Sequence, residues 1–140
     1  MRSISTLLDG AVMVDFDDYD SVSNIPKFGV WIASGADPNE WKTPRFVEDL
    51  RTLRDGGTAH HPLDRNPIVP TRFIVADDPF GRARRVMREI IDFSVHIDTP
   101  LDVAFLRRLR RGLAEPGYSE DYESSCHYVN RELAAYLGGR

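Results

Sequence analysis

The sequence predicts an α/β fold with a mostly parallel sheet and helices packed on it. Three observations lead there. Short apolar runs at residues 11–16 (AVMVDF), 72–76 (RFIVA) and 93–97 (FSVHI) alternate with stretches of helical periodicity. Each run is brief, and the first is mostly apolar, as a strand buried on both faces should be. Each also leads into an acid (Asp17, Asp77 and Asp98), and ligands of open α/β sheets bind outside the carboxyl ends of the strands.

The elements follow in chain order. Residues 11–16 supply the first strand. Residues 27–33 read as a further short extended piece, interrupted by Gly29 and bounded by Gly35. Residues 43–53 read as a helix. Thr43 is a good N-cap and Pro44 suits the first helical position. Phe46, Val47, Leu50 and Leu53 share a face, and Gly56-Gly57 stops the run. Residues 58–70, with three prolines and two histidines, read as a loop. After the strand at 72–76, residues 79–91 suit a helix with Val86, Ile90 and Ile91 inward, and residues 93–97 form the third strand. Residues 100–113 read as a helix opened by Thr99-Pro100, with Leu101, Ala104, Phe105 and Leu109 as its apolar stripe. Asp102 sits near its positive end. After the turn at 115–117, residues 121–137 form the last helix.

Composition fits one ordinary globular domain spanning residues 1–140. The chain has 41% hydrophobic and 29% charged residues and a net charge of −4, which argues against general nucleic-acid binding. The single cysteine, Cys126, allows no internal disulfide and reads as a packing residue. No apolar run approaches the ~20 residues that span a bilayer. The start MRSISTLLDG has too short an apolar core for a secretory signal. A cytoplasmic protein without membrane partners is expected.

Charge is unevenly distributed. Acids crowd residues 15–20, whereas Arg107, Arg108, Arg110 and Arg111 crowd the end of the helix at 100–113. Arginine's rigid fork suits phosphate oxygens. Cations in a helix's last turn also complement its dipole with no ligand present. Three acids at one sheet edge could hold magnesium and move a proton, although an aspartate after a strand also caps the turn that follows.

In this order and spacing, the motifs resemble the uridine kinase and phosphoribulokinase group of P-loop kinases. The matching stretches are VDF-Asp17-Asp18-Tyr19-Asp20, RFIVA-Asp77-Asp78, VHI-Asp98-Thr99, the run from Arg107 to Gly112, and the tail HYVNRELAAYL. The resemblance covers most of the chain from Ala11 onward. It implies a three-layer α/β/α P-loop NTPase-like fold with a lid at about 107–120. It also implies transfer of a phosphoryl group from ATP, with Mg2+, to a hydroxyl of a nucleoside or small metabolite. Asp17 inherits the role of general base. Asp77 matches an acid near magnesium, so both are catalytic candidates and weak magnesium ligands. Arg107, Arg108 and Arg111 match the arginines of a lid over the nucleotide phosphates.

Candidates for the acceptor are weaker. Tyr19 suits stacking on a base or sugar, or plain packing. Asp37 lies one position from the acid that holds ribose hydroxyls in uridine kinases. His61 and Asp64 fall where that group contacts the nucleoside, and Arg82 is placed to approach a phosphate. Arg84, Arg85 and Arg88 read as a solvated helix face. His60-His61 is no metal pair, because adjacent side chains point apart.

The chain also departs from the family pattern. The cradle G-x-x-x-x-G-K-[ST] appears nowhere in the sequence, so the domain is expected to be N-terminally incomplete. Residues 1–10 match only the end of the family helix that follows the cradle, with Leu7 and Leu8 inward. Where the family's lid motif ends in an acid this chain has Gly112, and where a family strand ends in Glu-Gly it has Asp77-Asp78. Without the cradle, phosphoryl transfer should be negligible, because positioning and charge stabilisation supply most of that catalysis. The alternative is a non-catalytic α/β module that binds a phosphorylated ligand or a protein. Loss of a central strand should also expose apolar surface and promote self-association, giving a possible homo-oligomer.

Overall fold

The computed structural model describes residues 2–113 and 122–138. In chain order its elements are α1 (Arg2–Leu7), β1 (Val12–Asp15), α2 (Phe28–Ala33), α3 (Pro44–Arg54), β2 (Ala59–His60), β3 (Pro67–Ile68), β4 (Ile74–Asp77), α4 (Leu101–Leu113) and α5 (Tyr122–Gly138). Four single-turn to two-turn 3-10 helices join them, at Asp17–Val22, Pro38–Glu40, Gly81–Ala83 and Arg85–Met87. The chain divides into two compact units. One comprises Met1–Lys27 with Asp37–Ser94, the other Phe28–Ala36 with Val95–Arg140.

In the first unit β1 and β4 run parallel, with Val12 opposite Ile74 and Asp15 opposite Asp77. The acids are thus in register at the carboxyl end of the sheet. Burial of Val14, Phe16, Tyr19, Phe46, Leu50 and Leu53 forms the centre of the core. Phe16 meets Phe46 edge-on, with ring centroids 5.3 Å apart, the arrangement that aligns positive ring edge with negative face. Helix α3 begins and ends where Thr43, Pro44 and Gly56 predict. Gly56 takes φ +82°, a left-handed conformation that glycine adopts without a Cβ penalty.

In the second unit α4 packs against α5, and α2 also touches α5. The Tyr128 hydroxyl of α5 donates to the Arg108 carbonyl of α4 at 3.2 Å. The backbone of α4 passes so close there that a Cβ on Gly112 would overlap the Tyr128 phenol. Glycine at this position is therefore a packing requirement.

Several expectations are corrected. Of residues 27–33, Phe28–Ala33 are helical in α2, not extended; these six residues close their own hydrogen bonds. The loop at 58–70 contains the short antiparallel ladder of β2 and β3. Residues 79–91 form no continuous helix. Two 3-10 turns replace it, burying Met87 and Ile90 while Val86 is exposed. Residues 93–97 form no strand, since no neighbouring chain segment offers them a ladder, and Phe93, Val95 and Ile97 are exposed. Asp98 therefore ends no strand. Leu7 is exposed rather than inward, and Cys126 is half-buried. The mostly parallel sheet is observed as one parallel pair among the described residues.

Candidate functional site

The chain leaves β1 through a tight acidic turn. The Phe16 N–H donates to the Asp77 carbonyl at 3.0 Å, which carries the ladder one residue past β1. The Asp17 N–H then donates to Asp15 Oδ1 at 3.1 Å. This turn brings Asp17 beside Asp15 and Asp77 and starts a 3-10 helix with Asp18 and Asp20 in its first turn. Partial withdrawal from water raises the Asp17 pKa, and the charges of Asp15, Asp20, Asp77 and Asp18 raise it further. Asp17 is the carboxylate best suited to accept a proton here. Asp17 and Asp77, the two catalytic candidates, are thus brought together.

Beside this turn lies a cleft of about 310 Å³ lined by Met13, Val14, Asp15, Asp18, Tyr19, His61 and Ile68, near the small end of ligand-sized pockets. The β2–β3 hairpin delivers His61 to its wall. His61 Nε2 faces Asp18 Oδ2 at 3.1 Å and Nδ1 faces Asp64 Oδ1 at 3.0 Å. The Asn66 backbone N–H holds the Asp64 pKa below its ordinary value. The ring is therefore fixed between two carboxylates, one of them in the acidic turn.

Tyr19 borders the cleft, but its ring is buried edge-on against Phe46 and its hydroxyl donates to Asp49 Oδ2 at 3.1 Å. Burial and the Asp49 charge push its pKa above the usual phenol range. Packing accounts for Tyr19, and no face of it is presented for stacking. Asp37 lines a different concavity, with Asn24, Pro26, Asn39, Glu40 and Lys42. Its carboxylate caps the Pro38–Glu40 turn by accepting from the Asn39 N–H at 2.9 Å, which lowers its pKa. Arg82 is turned to the Ile91 carbonyl, 3.3 Å away.

In the second unit Arg107 and Arg111 are exposed on α4. Arg108 donates through Nε to Glu132 of α5. Half of the expected lid, residues 114–120, lies outside the described residues.

Sequence reasoning missed three charged groups. Arg84, read as solvated, is 1% exposed. Its guanidinium donates to Asp78 Oδ2 and Thr43 Oγ1, each at 2.6 Å, and lies 5.1 Å from the Phe16 ring centroid. The Thr43 hydroxyl therefore accepts from Arg84 and makes no helix-capping bond. This buried pair ties the turn after β4 to the start of α3. Asp49 is buried between Tyr19 and Arg45, and its spacing of three from Phe46 on the apolar face was the available signal. Glu132 is buried and pairs with Arg108 and Arg131, with no sequence signal beyond a helix rich in polar residues.

Among the described residues, no three His, Cys, Asp or Glu side chains are arranged to hold a metal ion by themselves. Magnesium commonly takes one or two carboxylates and completes its shell with water and phosphate oxygens. The clustered charge of Asp15, Asp17 and Asp77 fits a hydrated divalent cation held by one or two carboxylates.

The chain is similar to uridine kinases. It is 24% identical over 127 residues to the uridine kinase of Borrelia turicatae, covering 84% of this chain and 62% of that protein. It is 27% identical over 92 residues to that of Haemophilus influenzae strain Rd, covering 59% and 43%. With that of Shewanella amazonensis it shares 32% over 82 residues, covering 51% and 39%. It thus spans about two fifths to three fifths of the length of these curated relatives. No family model and no solved structure matches it. No described helix is long and apolar enough to cross a membrane.

Proposed function

We propose that this chain carries the acceptor side of a uridine kinase-like site, where a hydroxyl of a nucleoside or small metabolite receives a phosphoryl group from ATP. The observation supporting this reading is Asp17. It stands at the carboxyl end of a parallel strand pair, beside a cleft, with a raised pKa. A raised pKa makes the carboxylate a stronger base, and it is the group assigned to accept the proton of the acceptor hydroxyl. His61, held by Asp18 and Asp64, orients the acceptor in the cleft. Asp77, and Asp17 through its second oxygen, are the groups that would face magnesium. Magnesium, when bound with the nucleotide, neutralises charge on the transferring phosphoryl group. Arg107, Arg108 and Arg111 would grip phosphate oxygens. The three-layer P-loop fold of the group is part of the same proposal.

The phosphate cradle is absent from these 140 residues, so the chain alone is expected to transfer phosphate negligibly. The exposed Arg107 and Arg111 of α4 also fit a second reading, a non-catalytic module binding a phosphorylated ligand. Both are tested by joining the strand and phosphate loop of a uridine kinase ahead of Met1 and assaying transfer from Mg-ATP to a panel of nucleosides. Transfer that falls about 10²–10⁴-fold in Asp17→Asn supports the kinase reading. A chimera that binds Mg-ATP but transfers nothing, or transfers equally well with Asn at position 17, overturns it.

A further inference from the structure

The buried carboxylate of Glu132 has no part in the acidic turn. It is only 7% exposed, and both of its charged partners are arginines: Arg108 on α4, through Nε, and Arg131 on its own helix, through Nη2 at 3.3 Å. A buried acid costs several kcal/mol in desolvation unless its lone pairs are met, and here both oxygens accept from a guanidinium.

The geometry at Arg108 is specific. Its Nε–H is directed to Glu132, its carbonyl accepts from the Tyr128 hydroxyl, and its side chain is nevertheless 66% exposed. Arginine offers donors along two edges, and the edge containing Nε is engaged with Glu132. The opposite edge, formed by the two terminal amino groups, is the one matched to two oxygens of a phosphate. Neighbouring Arg111 lies one helical turn further along α4. Arg131 is stacked over the Tyr128 ring, 5.1 Å from its centroid, which steadies the far side of Glu132.

We infer that Glu132 is a positioning residue for Arg108: it tethers Nε so that the outward edge of the guanidinium is preset for a phosphate group. An untethered arginine gives up rotamer freedom when it grips a ligand. A tethered one has surrendered most of it on folding. This inference rests on the reading of Arg108 as a phosphate-gripping residue, but not on Asp17 or on transfer.

The test uses the 140-residue chain and magnesium-free tripolyphosphate, titrated calorimetrically at fixed low salt, with helicity of every variant checked by circular dichroism. Arg108→Ala and Arg108→Lys should each weaken binding about tenfold, the lysine because it keeps the charge but lacks the second edge. Glu132→Gln retains an acceptor oxygen and should bind at least as tightly as the parent. Glu132→Ala should weaken binding as much as Arg108→Ala, and the double variant should be no worse than either. Should Glu132→Ala lose helicity, Glu132→Leu, which keeps the bulk of the side chain but offers no acceptor oxygen, takes its place and is read the same way. Tighter or unchanged binding in Glu132→Ala makes the acid a mere competitor or bystander and overturns the inference, as does unchanged binding in Arg108→Lys. Tripolyphosphate offers no acceptor hydroxyl, so this binding is read without any transfer step. Failure of the kinase reading, seen in transfer by the chimera, is thus separable from failure of this one.

Discussion

At Asp17 the role proposed above would be set against stability. The Asp17 pKa in the folded chain lies above the ordinary 3.8, through partial burial first and then the charges of Asp15, Asp20, Asp77 and Asp18. Folding therefore favours its protonated form. That contribution is complete below pH 3.8 and is lost as pH rises through the raised value. At neutral pH the ionised group repels its neighbours and opposes folding. Asp17→Asn should therefore raise the urea midpoint at pH 7 relative to the parent, and the two midpoints should converge near pH 3. An unchanged or lowered midpoint at pH 7 contradicts the electrostatic account. Asp64 has the opposite sign: the Asn66 N–H lowers its pKa, so its contribution is present at neutral pH and fades on acidification. Carboxylates that oppose folding while serving a site are the usual cost of function.

At the scale of elements, the α4–α5 hairpin has one position where the backbone decides. Replacing Gly112 with aspartate, the residue of the family pattern, would drive a Cβ into the Tyr128 phenol. Overpacking of this kind costs about 1–3 kcal/mol. Gly112→Asp should lower the thermal midpoint of helicity, and adding Tyr128→Ala should recover part of the loss; no recovery would place the strain elsewhere. The departure at Gly112 was legible in the sequence, but its cause was not, because Tyr128 is sixteen residues away. The same contrast holds across the chain. Helix α3 was readable because its start and stop are written locally, in Thr43, Pro44 and Gly56, and its apolar face has a clear period. Strands β1 and β4 were readable from short apolar runs. Residues 79–91 misled because Val86, Ile90 and Ile91 suggest a helical face, whereas the Arg84–Asp78 ion pair breaks the segment into separate turns. At the candidate site, motif order singled out Asp17 and Asp77, and loop position His61, as candidates. The partners that hold them, Asp15, Asp18 and the Arg84–Thr43 link, come from tertiary pairing that no local pattern records.

At the scale of the molecule, the sheet is the weak point. Strand β1 pairs with β4, and among the described residues neither strand has a second neighbour. Two strands alone are marginal in water, and parallel strands are ordinarily covered on both faces. Residues 93–97 alternate apolar and polar like a strand with one buried face. Yet Phe93, Val95 and Ile97 are 82%, 78% and 77% exposed. Apolar alternation without a partner, together with open strand edges, is a template for pairing with another chain. The chain by itself should therefore associate with itself, its sedimentation coefficient rising with concentration and an apolar dye binding in proportion. Replacing Val95 and Ile97 with lysine should shift the distribution towards monomer, because like charges on the paired segment repel. Fusion of an apolar strand and phosphate loop ahead of Met1 should do the same by supplying a neighbour. A parent chain that sediments as a monomer over a hundredfold concentration range, binding no dye, would show that these surfaces are satisfied without a further strand. The proposed incompleteness of the sheet would then have no physical support.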